Sequence, residues 1–356
     1  MLRAIEHKKG AVLILDQSRL PHSITDIKCT SWRQVSRCIK ELKIRGAPAI
    51  GIAAAMGYAL GAEEINAKDT GTLIEKLAPV FEGLFESRPT AVNLGWALQR
   101  MMEKARLLAG EGRTVRQIKD ALWREAGLIH KEDIRINKAI GVWGSQFIKD
   151  GDVILTHCNA GALATGGYGT ATAPIFLAHK QGKRIHVIVD ETRPVLQGAR
   201  LTALEMREAG IPMTLITDNS AGALLQQRRI NLAIVGTDRT TRNGDVANKI
   251  GTYSVAVLCK ENKVPFYVAA PLSSIDFSMR SGGLIPIEQR HENEVFFVRG
   301  RRIAPTGIRA ANLAFDVTPA RYVTAIITEV GAFRPNQLKK IASGKGAGLD
   351  AVRYVP

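Results

Sequence analysis

The sequence predicts an α/β protein in which a mainly helical N-terminal domain precedes a domain built on a mostly parallel, doubly wound sheet. Two observations support this prediction. In the first 150 residues the apolar positions recur at helical spacing. Beyond the turn-forming residues 149–152, short apolar runs alternate with longer helical stretches, as in repeated strand–helix–strand units. We therefore place the domains at residues 1–150 and 151–356.

The helices of the first domain follow from apolar spacing and from capping residues. Ser31 is a suitable N-cap for a helix over residues 32–42, in which Val35, Ile39 and Leu42 share one face. An Ala-rich helix with Pro48 in its first turn is expected to run to residue 63 or 64. Two further helices are predicted over residues 91–108 and 115–137, and residues 11–15 give the main strand signal.

The second domain contains the strand pattern. Short apolar runs predict buried strands over residues 153–158, 186–191, 213–218, 232–238 and 266–270. Helices are expected between them, for example over residues 202–209 and 221–228. In such sheets ligands bind beyond the carboxyl ends of the strands. Those ends carry Cys158, Glu191, Asp218 and Asp238.

Composition and charge limit the class of protein. The 356 residues are 46% hydrophobic and 23% charged, which is typical of a folded chain and excludes a disordered one. The net charge of +16 permits nucleic acid, an anionic membrane or a phosphorylated small molecule as a partner. Four cysteines without a CxxC pair argue against a disulfide or zinc scaffold and favour a reducing cytoplasm. No signal peptide is evident, and the most apolar stretch, residues 47–60, is too short to span a membrane.

The familiar cofactor motifs are missing. The first predicted strand is followed by HCNAGALATGGYGTATAP, which lacks GxGxxG spacing, and no Walker A loop occurs, so we expect no nucleotide cofactor. Gly166, Gly167, Gly169 and Thr170 form either a phosphate-binding loop or a tight structural turn. The seven histidines are scattered, and we therefore expect no metal site.

Two residues at strand ends are candidates for catalysis. Cys158 is either a small buried apolar residue or a reactive thiol. Asp238 is either a helix cap or a general acid–base group. His157 precedes Cys158, but adjacent strand residues point to opposite faces, so a Cys–His pair is not supported.

At these residues the sequence resembles the methylthioribose-1-phosphate isomerase family. The resemblance extends over six segments in the expected order: residues 44–55 (IRGAPAIGIAAA), 87–94 (SRPTAVNL), 156–171 (THCNAGALATGGYGTA), 190–203 (DETRPVLQGARLTA), 236–253 (GTDRTTRNGDVANKIGTY) and 314–320 (AFDVTPA). The wider superfamily includes ribose-1,5-bisphosphate isomerase, a 5-deoxyribose-1-phosphate isomerase branch and the regulatory subunits of translation initiation factor 2B.

The resemblance implies a helical N-terminal domain, a Rossmann-like C-terminal domain and a homodimeric, cytoplasmic aldose–ketose isomerase of methionine salvage that uses no cofactor. By the matching motifs, Asp238 donates a proton and Cys158 is the second catalytic residue. The matching motifs also imply a set of substrate-binding residues: Arg45, Gly46, Ala47, Arg88, Gln197, Asn248 and Lys249. Proton donation by Asp238 requires a protonated carboxyl, for which we predict an apolar pocket that raises its pKa.

Some points stay open at this stage. Cys158 is either a base in a cis-enediol route or a stabiliser of a hydride shift. Thr240, Thr241 and Arg242 depart from the smaller or apolar residues expected there, which leaves the C5 substituent of the sugar open. The alternatives are 5-deoxyribose 1-phosphate, ribose 1,5-bisphosphate and a non-catalytic regulatory subunit. The remaining positive charge is interpreted as a solvated surface that steers anionic sugar phosphates, without nucleic acid as a partner.

Overall fold

The computed structural model describes residues 2–8, 10–89 and 91–342 and divides into two packed units. The first unit contains the described residues through Arg135 together with Ala162–Gly169. The second contains Ile136–Gly161 and the described residues from Thr170 onward. The division falls inside a long helix, before the predicted boundary near residue 150. By its packing, the segment Ala162–Gly169 belongs to the unit that precedes it in the chain.

The first unit joins a small antiparallel sheet to a group of helices. Its elements are β1 (Ile5–Lys8), β2 (Ala11–Leu15), β3 (Asp26–Cys29), α1 (Trp32–Lys40), α2 (Ala47–Glu64), α3 (Thr70–Phe85), α4 (Val92–Gly110) and the first part of α5 (Val115–Ser145). Every residue of α2 from Ala49 to Ala62 is buried. A helix that is apolar all round is a core helix, and the other elements of this unit pack around it.

The N-terminus of α1 confirms the predicted cap. Ser31 Oγ accepts the Gln34 N–H at 3.3 Å, and Gln34 Oε1 accepts the Ser31 N–H at 3.1 Å. This reciprocal pair is a capping box and satisfies two backbone donors at the helix end. The helix ends at Lys40, two residues before the predicted end, and Leu42 has a positive φ of 56°.

The second unit contains the remaining elements. Its strands are β4 (Val153–Thr156), β5 (His186–Asp190), β6 (Met213–Ile216), β7 (Leu232–Val235), β8 (Arg239–Thr241), β9 (Val246–Lys249), β10 (Phe266–Ala269), β11 (Ile275–Asp276), β12 (Phe297–Val298), β13 (Arg301–Arg302), β14 (Phe315–Thr318), β15 (Ala325–Thr328) and β16 (Gly331–Phe333). Its α-helices beyond the end of α5 are α6 (Thr172–Lys180), α7 (Ala203–Glu208), α8 (Ala221–Gln226), α9 (Thr252–Glu261), α10 (Asn293–Phe296) and α11 (Leu338–Ala342).

Seven of these strands form the central sheet, in the order β16-β15-β10-β7-β4-β5-β6. All neighbours are parallel except β15 and β16, which form an antiparallel hairpin. Alternate strand residues enter two separate cores, as Ile154 does on one face and Leu155 on the other. Helices cover both faces, with Ile175 of α6 in the first core and Val255 of α9 in the second. The predicted mostly parallel, doubly wound sheet is confirmed.

A second sheet extends from the carboxyl edge of β7. Its order is β11-β8-β9-β14, and β8 and β9 form an antiparallel hairpin in which Arg239 lies opposite Ala247. β14 pairs antiparallel with β9 and places Asp316 opposite Asn248. The β8–β9 hairpin carries three of the predicted site residues. Within the described part of the chain, no helix has both the length and the apolar character needed to cross a membrane.

Candidate functional site

Cys158 and Asp238 follow the carboxyl ends of two neighbouring strands, β4 and β7. The strands pair in parallel, and Thr156 Oγ1 donates a hydrogen bond to the carbonyl of Ile234 at 2.8 Å. The strand order reverses between them, because β5 and β6 lie to one side of β4 while β7 and β10 lie to the other. Ligands of doubly wound sheets bind at such a reversal. The two predicted catalytic residues therefore share the ligand-binding edge of the sheet.

The backbone of Cys158 is held in an uncommon conformation. Its φ is +63°, a region that residues other than glycine adopt at some cost. Its N–H donates to Thr192 Oγ1 at 2.8 Å, and its carbonyl accepts from Thr202 Oγ1 at 2.6 Å. The side chain is 8% exposed. Two buried threonines thus fix the backbone of Cys158 on both sides.

The next residue, Asn159, is also fixed by hydrogen bonds. Asn159 Nδ2 donates to Thr202 Oγ1 at 3.1 Å and to Glu205 Oε1 at 3.0 Å, and both partners are buried. The Glu205 carboxylate also lies against Gly161, where a Cβ atom would come within 2.2 Å of Glu205 Oε2. The chain after β4 therefore leaves the strand through a tight turn in which the Cys158 backbone and the Asn159 side chain are hydrogen-bonded.

Asp238 begins the hairpin that follows β7. Its N–H donates to the carbonyl of Ala247 at 3.0 Å, and Thr237 Oγ1 donates to the same carbonyl at 3.2 Å. The side chain of Asp238 is exposed. The predicted apolar pocket around this carboxyl is therefore wrong for the structure, because the carboxyl lies on the surface of a hairpin rather than inside the core.

The same hairpin carries Asn248 and Lys249 on its second strand. Asn248 is buried, and its Nδ2 donates to Thr252 Oγ1 at 3.0 Å. Lys249 Nζ donates to the carbonyl of Ala314 at 3.0 Å and lies 4.4 Å from the centre of the Phe315 ring. An ammonium group has three donors, so this arrangement leaves capacity for an anion. The hairpin thus places an amide and a cation on the strand next to Asp238.

Gln197 lies at the end of the loop that follows β5. It is buried, and its Oε1 has no hydrogen-bond partner in the described part of the chain. The following Gly198 packs against the carbonyl of Asp190 so closely that a Cβ atom would lie 1.7 Å from that oxygen. Buried polar atoms are normally paired, so an unpaired amide oxygen in this loop is consistent with a ligand contact.

The other predicted substrate residues lie in the first unit. Arg45, Gly46 and Ala47 stand at the start of α2, and Arg88 lies in the turn between α3 and α4. Gly46 has a φ of +92°, and a Cβ there would lie 2.4 Å from Ala164 Cα. Both the φ and the contact require glycine. In the neighbouring SRPTAVNL motif, Thr90 lies outside the described residues.

The backbone N–H groups of the Gly-rich loop are already engaged. Gly166 donates to Asp133 Oδ2 at 2.6 Å, while Gly167 and Gly169 donate to Thr165 Oγ1 at 3.1 and 3.2 Å. Thr170 donates to the carbonyl of Ala160 at 2.9 Å. A phosphate cradle needs such donors for the ligand. These hydrogen bonds favour a tight structural turn over a phosphate-binding loop as the role of these glycines.

A buried histidine at the sheet edge was missed as a site residue. His157 Nδ1 lies 2.9 Å from Asp190 Oδ2 and 3.9 Å from Asp218 Oδ1. Of the described residues, these three form the one group with ligand atoms close enough to hold a metal ion. Asp218, however, already accepts the N–H groups of Thr192 and Arg193, both at 2.7 Å. The group is therefore a hydrogen-bonded network. The signal available in the sequence was that these side chains follow adjacent strands.

The sequence matches the Initiation factor 2 subunit family over residues 43–335. The chain belongs to this family. The matched range includes Cys158, Asp238 and all the predicted substrate residues. The family resemblance drawn from the six motifs is therefore confirmed.

Within the Initiation factor 2 subunit family, the chain is similar to isomerases of sugar phosphates. A methylthioribose-1-phosphate isomerase of Desulforamulus reducens is 49% identical over 347 residues, which cover 97% of this chain and 100% of that protein. The crystal structure of 5-methylthioribose 1-phosphate isomerase from Pyrococcus horikoshii OT3 superimposes with a TM-score of 0.91 at 42% identity, covering 97% of this chain and 96% of that chain.

A protein with a different name is nearly as similar in structure. The translation initiation factor eIF-2B, subunit delta, from A. fulgidus superimposes with a TM-score of 0.86 at 42% identity, covering 95% of this chain and 97% of that chain. Membership in the Initiation factor 2 subunit family therefore establishes the fold, while the activity has to be argued from the site.

Proposed function

We propose that this protein is an aldose–ketose isomerase that converts 5-methylthioribose 1-phosphate to 5-methylthioribulose 1-phosphate, a reaction of methionine salvage. The observation that carries the proposal is the position of Cys158 and Asp238 just beyond the carboxyl ends of two neighbouring parallel strands, where the strand order reverses. The similarity to named isomerases over nearly the whole chain supports the same substrate class.

The chemistry sets three tasks for the site. The substrate is a furanose with phosphate on its anomeric oxygen, which prevents spontaneous opening to the aldehyde. The enzyme must hold a phosphate dianion, donate a proton to the ring oxygen, and move hydrogen from C2 to C1. Each task needs a different kind of side chain: a cation, an acid, and a group beside the two carbons.

Asp238 is the proposed acid. Donation requires the protonated carboxyl, and an exposed side chain has little desolvation to favour that form. We infer that substrate bound over the β8–β9 hairpin supplies the burial. The ring-opening proton would then be available only when a sugar phosphate covers Asp238.

Cys158 is the proposed partner for hydrogen transfer between C2 and C1. Its left-handed backbone and two threonine hydrogen bonds fix the thiol for either a base in a cis-enediol route or a stabiliser of a hydride shift. Tracing the C2 hydrogen distinguishes the routes. Solvent hydrogen at C1 of the product indicates proton transfer, and full retention of a C2 label indicates hydride transfer.

The phosphate is assigned to the cations of the matched motifs. Lys249 has donors to spare beside Asp238, and Arg45 and Arg88 offer guanidinium groups suited to phosphate. Gly46, Ala47, Gln197 and Asn248 are kept as further proposed substrate contacts. Replacing Arg45 or Lys249 by Met should raise KM for the sugar phosphate more than it lowers kcat.

One observation favours a second candidate substrate. Arg242 lies in the turn of the hairpin that carries Asp238 and Lys249, and its N–H donates to the carbonyl of Met279 at 3.0 Å. A cation there suits a second phosphate better than a methylthio group. Ribose 1,5-bisphosphate is therefore the alternative, followed by 5-deoxyribose 1-phosphate. Because the chain is also similar to an eIF-2B subunit, a non-catalytic regulatory role is the third candidate function.

The deciding experiment is a substrate panel. Methylthioribose 1-phosphate, 5-deoxyribose 1-phosphate, ribose 1-phosphate and ribose 1,5-bisphosphate should be compared by kcat/KM, which measures discrimination directly. We expect the methylthio substrate to be preferred. Preference for the bisphosphate would select the second candidate, and no turnover with any sugar phosphate would select the regulatory role.

Site variants complete the test. Cys158→Ser and Asp238→Asn should each lower kcat by about 100-fold or more, since removing a proton-transfer group typically costs that much. Asp150→Asn is the matched control, because Asp150 is an exposed carboxylate paired with Arg184. Wild-type turnover in both site variants would contradict the assignment. The homodimer implied by the family resemblance is a separate prediction, to be measured by light scattering.

A further inference from the structure

His157 lies where three segments of the second unit meet. It is buried at the end of β4, its Nδ1 is 2.9 Å from Asp190 Oδ2 at the end of β5, and its Nε2 is 2.8 Å from the carbonyl of Ile250 after β9. One imidazole ring thus joins two central strands to the hairpin of the second sheet. The proposed isomerisation assigns no step to this residue.

The partners determine how the ring is protonated. A carbonyl oxygen only accepts, so Nε2 of His157 donates to Ile250. Nδ1 therefore shares its proton with the Asp190 carboxylate. Burial alone lowers the pKa of His157, but the hydrogen bond and charge of Asp190 outweigh it, and the pKa stands above its ordinary value. Asp218 and Asp316 also face this histidine. The contact is a charge-assisted hydrogen bond in a buried site, which is among the stronger kinds.

His157 and the two residues that its ring contacts are each close in sequence to a proposed site residue or to its hydrogen-bond partner. His157 directly precedes Cys158, and Asp190 lies two residues before Thr192, which accepts the Cys158 N–H. Ile250 directly follows Lys249. A shift of the imidazole would therefore move the thiol and the ammonium group together.

The ring also packs against a glycine that follows β9. Gly251 has a φ of +102°, and a Cβ there would lie 2.9 Å from His157 Cε1. The Gly251 N–H is fixed in turn by Asp316 Oδ2 at 2.7 Å. The imidazole is therefore clamped between the β5 carboxylate and a glycine whose backbone is itself held.

We propose that His157 is a positioning residue for the isomerisation. Together with Asp190 it sets the placement of Cys158 relative to the segment that carries Lys249, and it does so without touching substrate. This inference rests on the proposed function, since the two residues it aligns are those assigned to hydrogen transfer and phosphate binding.

The test compares variants that break the contact with one that preserves its shape. His157→Leu and Asp190→Ala remove the hydrogen bonds, and both should lower kcat by about 100-fold and raise KM, because small misplacements of reacting groups cost that much. Asp190→Asn can donate its amide N–H to Nδ1 while Nε2 still donates to Ile250. It should keep kcat within about tenfold of the wild type if position, rather than charge, is what matters.

A matched control lies at the other end of β5. His186 pairs with Thr214 at 2.8 Å, away from the site, and His186→Leu should leave kcat and KM unchanged. Thermal unfolding midpoints of all variants establish whether each is folded. A structural role alone would lower the midpoint without changing kcat in the folded protein.

A second readout does not depend on turnover. The rate of iodoacetamide alkylation of Cys158, followed by mass spectrometry, reports how firmly the thiol is placed. It should rise by about tenfold or more in His157→Leu and Asp190→Ala, because local opening exposes the residue. It should stay at the wild-type rate in Asp190→Asn and His186→Leu.

The outcomes separate this inference from the proposed function. If the wild type turns over no sugar phosphate, the proposed function fails, and the alkylation rates still judge the positioning role. If folded His157→Leu keeps both kcat and the alkylation rate, the positioning role is overturned. Should His157→Leu fail to fold, Asp190→Asn decides, since a 100-fold loss of kcat in that isosteric variant would also overturn it.

Discussion

Thr192 Oγ1 accepts the backbone N–H of Cys158 at 2.8 Å, and both residues have left-handed backbones, with φ values of +64° and +63°. The same hydroxyl donates to the carbonyl of Asp190 at 3.2 Å. One side chain therefore ties the turn after β4 to the turn after β5. The strain of two uncommon backbone conformations is held at the edge where ligands of this fold bind.

Removing that hydroxyl should weaken both the fold and the site. Thr192→Val keeps the shape but removes the hydroxyl that accepts the buried Cys158 N–H, which costs about 1–3 kcal/mol of unfolding free energy. Urea unfolding measures the loss, and kcat should fall with it. Thr192→Ser keeps the hydroxyl and serves as control. Equal stability of the Val and Ser variants would contradict the role given to this hydrogen bond.

Gly198 should tolerate no side chain. A Cβ there would lie 1.7 Å from the backbone carbonyl oxygen of Asp190, which cannot move without distorting β5. Gly198→Ala should lower the unfolding free energy by more than about 3 kcal/mol. Gly127→Ala in α5 is the control, since a Cβ there meets no atom within 4 Å. That variant should be neutral or up to about 1 kcal/mol more stable, because alanine is the better helix former.

The buried pair of His157 and Asp190 should make stability depend on pH. The raised pKa of His157 means that its contribution is complete below the ordinary value of 6.5 and is lost as the pH rises through the folded value. Burial raises the pKa of Asp190, which acts in the same direction at lower pH. The contribution of this pair to the unfolding free energy should therefore fall between about pH 6 and pH 9.

Asp190→Asn isolates this effect. Without the carboxylate the main offset to the desolvation of His157 is lost and only the weaker effects of Ile250 and Asp218 remain, so the fall in unfolding free energy over the alkaline range should be smaller. Other groups titrate equally in both proteins and cancel in the comparison. Parallel curves for the wild type and the variant would show that the pair does not share a proton as described.

The four cysteines should react in a fixed order. Cys158 is 8% exposed, whereas Cys29, Cys38 and Cys259 are between 0% and 3% exposed. Burial also raises the pKa of Cys259 to about 12, so its thiolate is scarce at neutral pH. Iodoacetamide should therefore label Cys158 first in the native protein, and peptide mass mapping identifies the site. Cys158→Ser is the control and should lose the fast phase.

Cys38 is the residue whose labelling would contradict this order. Its Sγ lies 3.8 Å from that of Cys29, and this hydrogen bond lowers the pKa of Cys38 while it raises that of Cys29. If Cys38 reacted before Cys158, thiolate fraction rather than exposure would govern alkylation in this protein.

The central sheet could be predicted because its signal is local. Short apolar runs such as residues 153–158 predict strands without any knowledge of their tertiary contacts, and the structure places β4 there. Helix α3 (Thr70–Phe85) was missed, since Pro79 and its glycines interrupt the helical pattern. It forms because Asp69 caps it and because Leu73, Leu77 and Leu84 are buried. Tertiary packing therefore decides where the local pattern is weak.

The sequence was enough to identify the candidate site residues, but not to predict their exposure or their contacts. Motifs identified Cys158 and Asp238, and the strand order explains why they lie at one edge. The exposure of Asp238 depends on the β8–β9 hairpin, whose short polar strands carry no apolar alternation. The role of His157 depends on contacts with Asp190 and Ile250, which lie 33 and 93 positions away in the chain. Spacing along a sequence does not reveal such pairs.

The segment Ala162–Gly169 affects how the chain can fold during synthesis. Gln17 Nε2 donates to the carbonyl of Leu163 at 2.8 Å across 146 positions, and Gly46 is shaped to admit Ala164. Chains emerge from the ribosome N-terminus first. The helical unit therefore cannot complete its contacts with this segment until the first strand of the next unit has been translated, and a fragment cut after α5 would lack the segment.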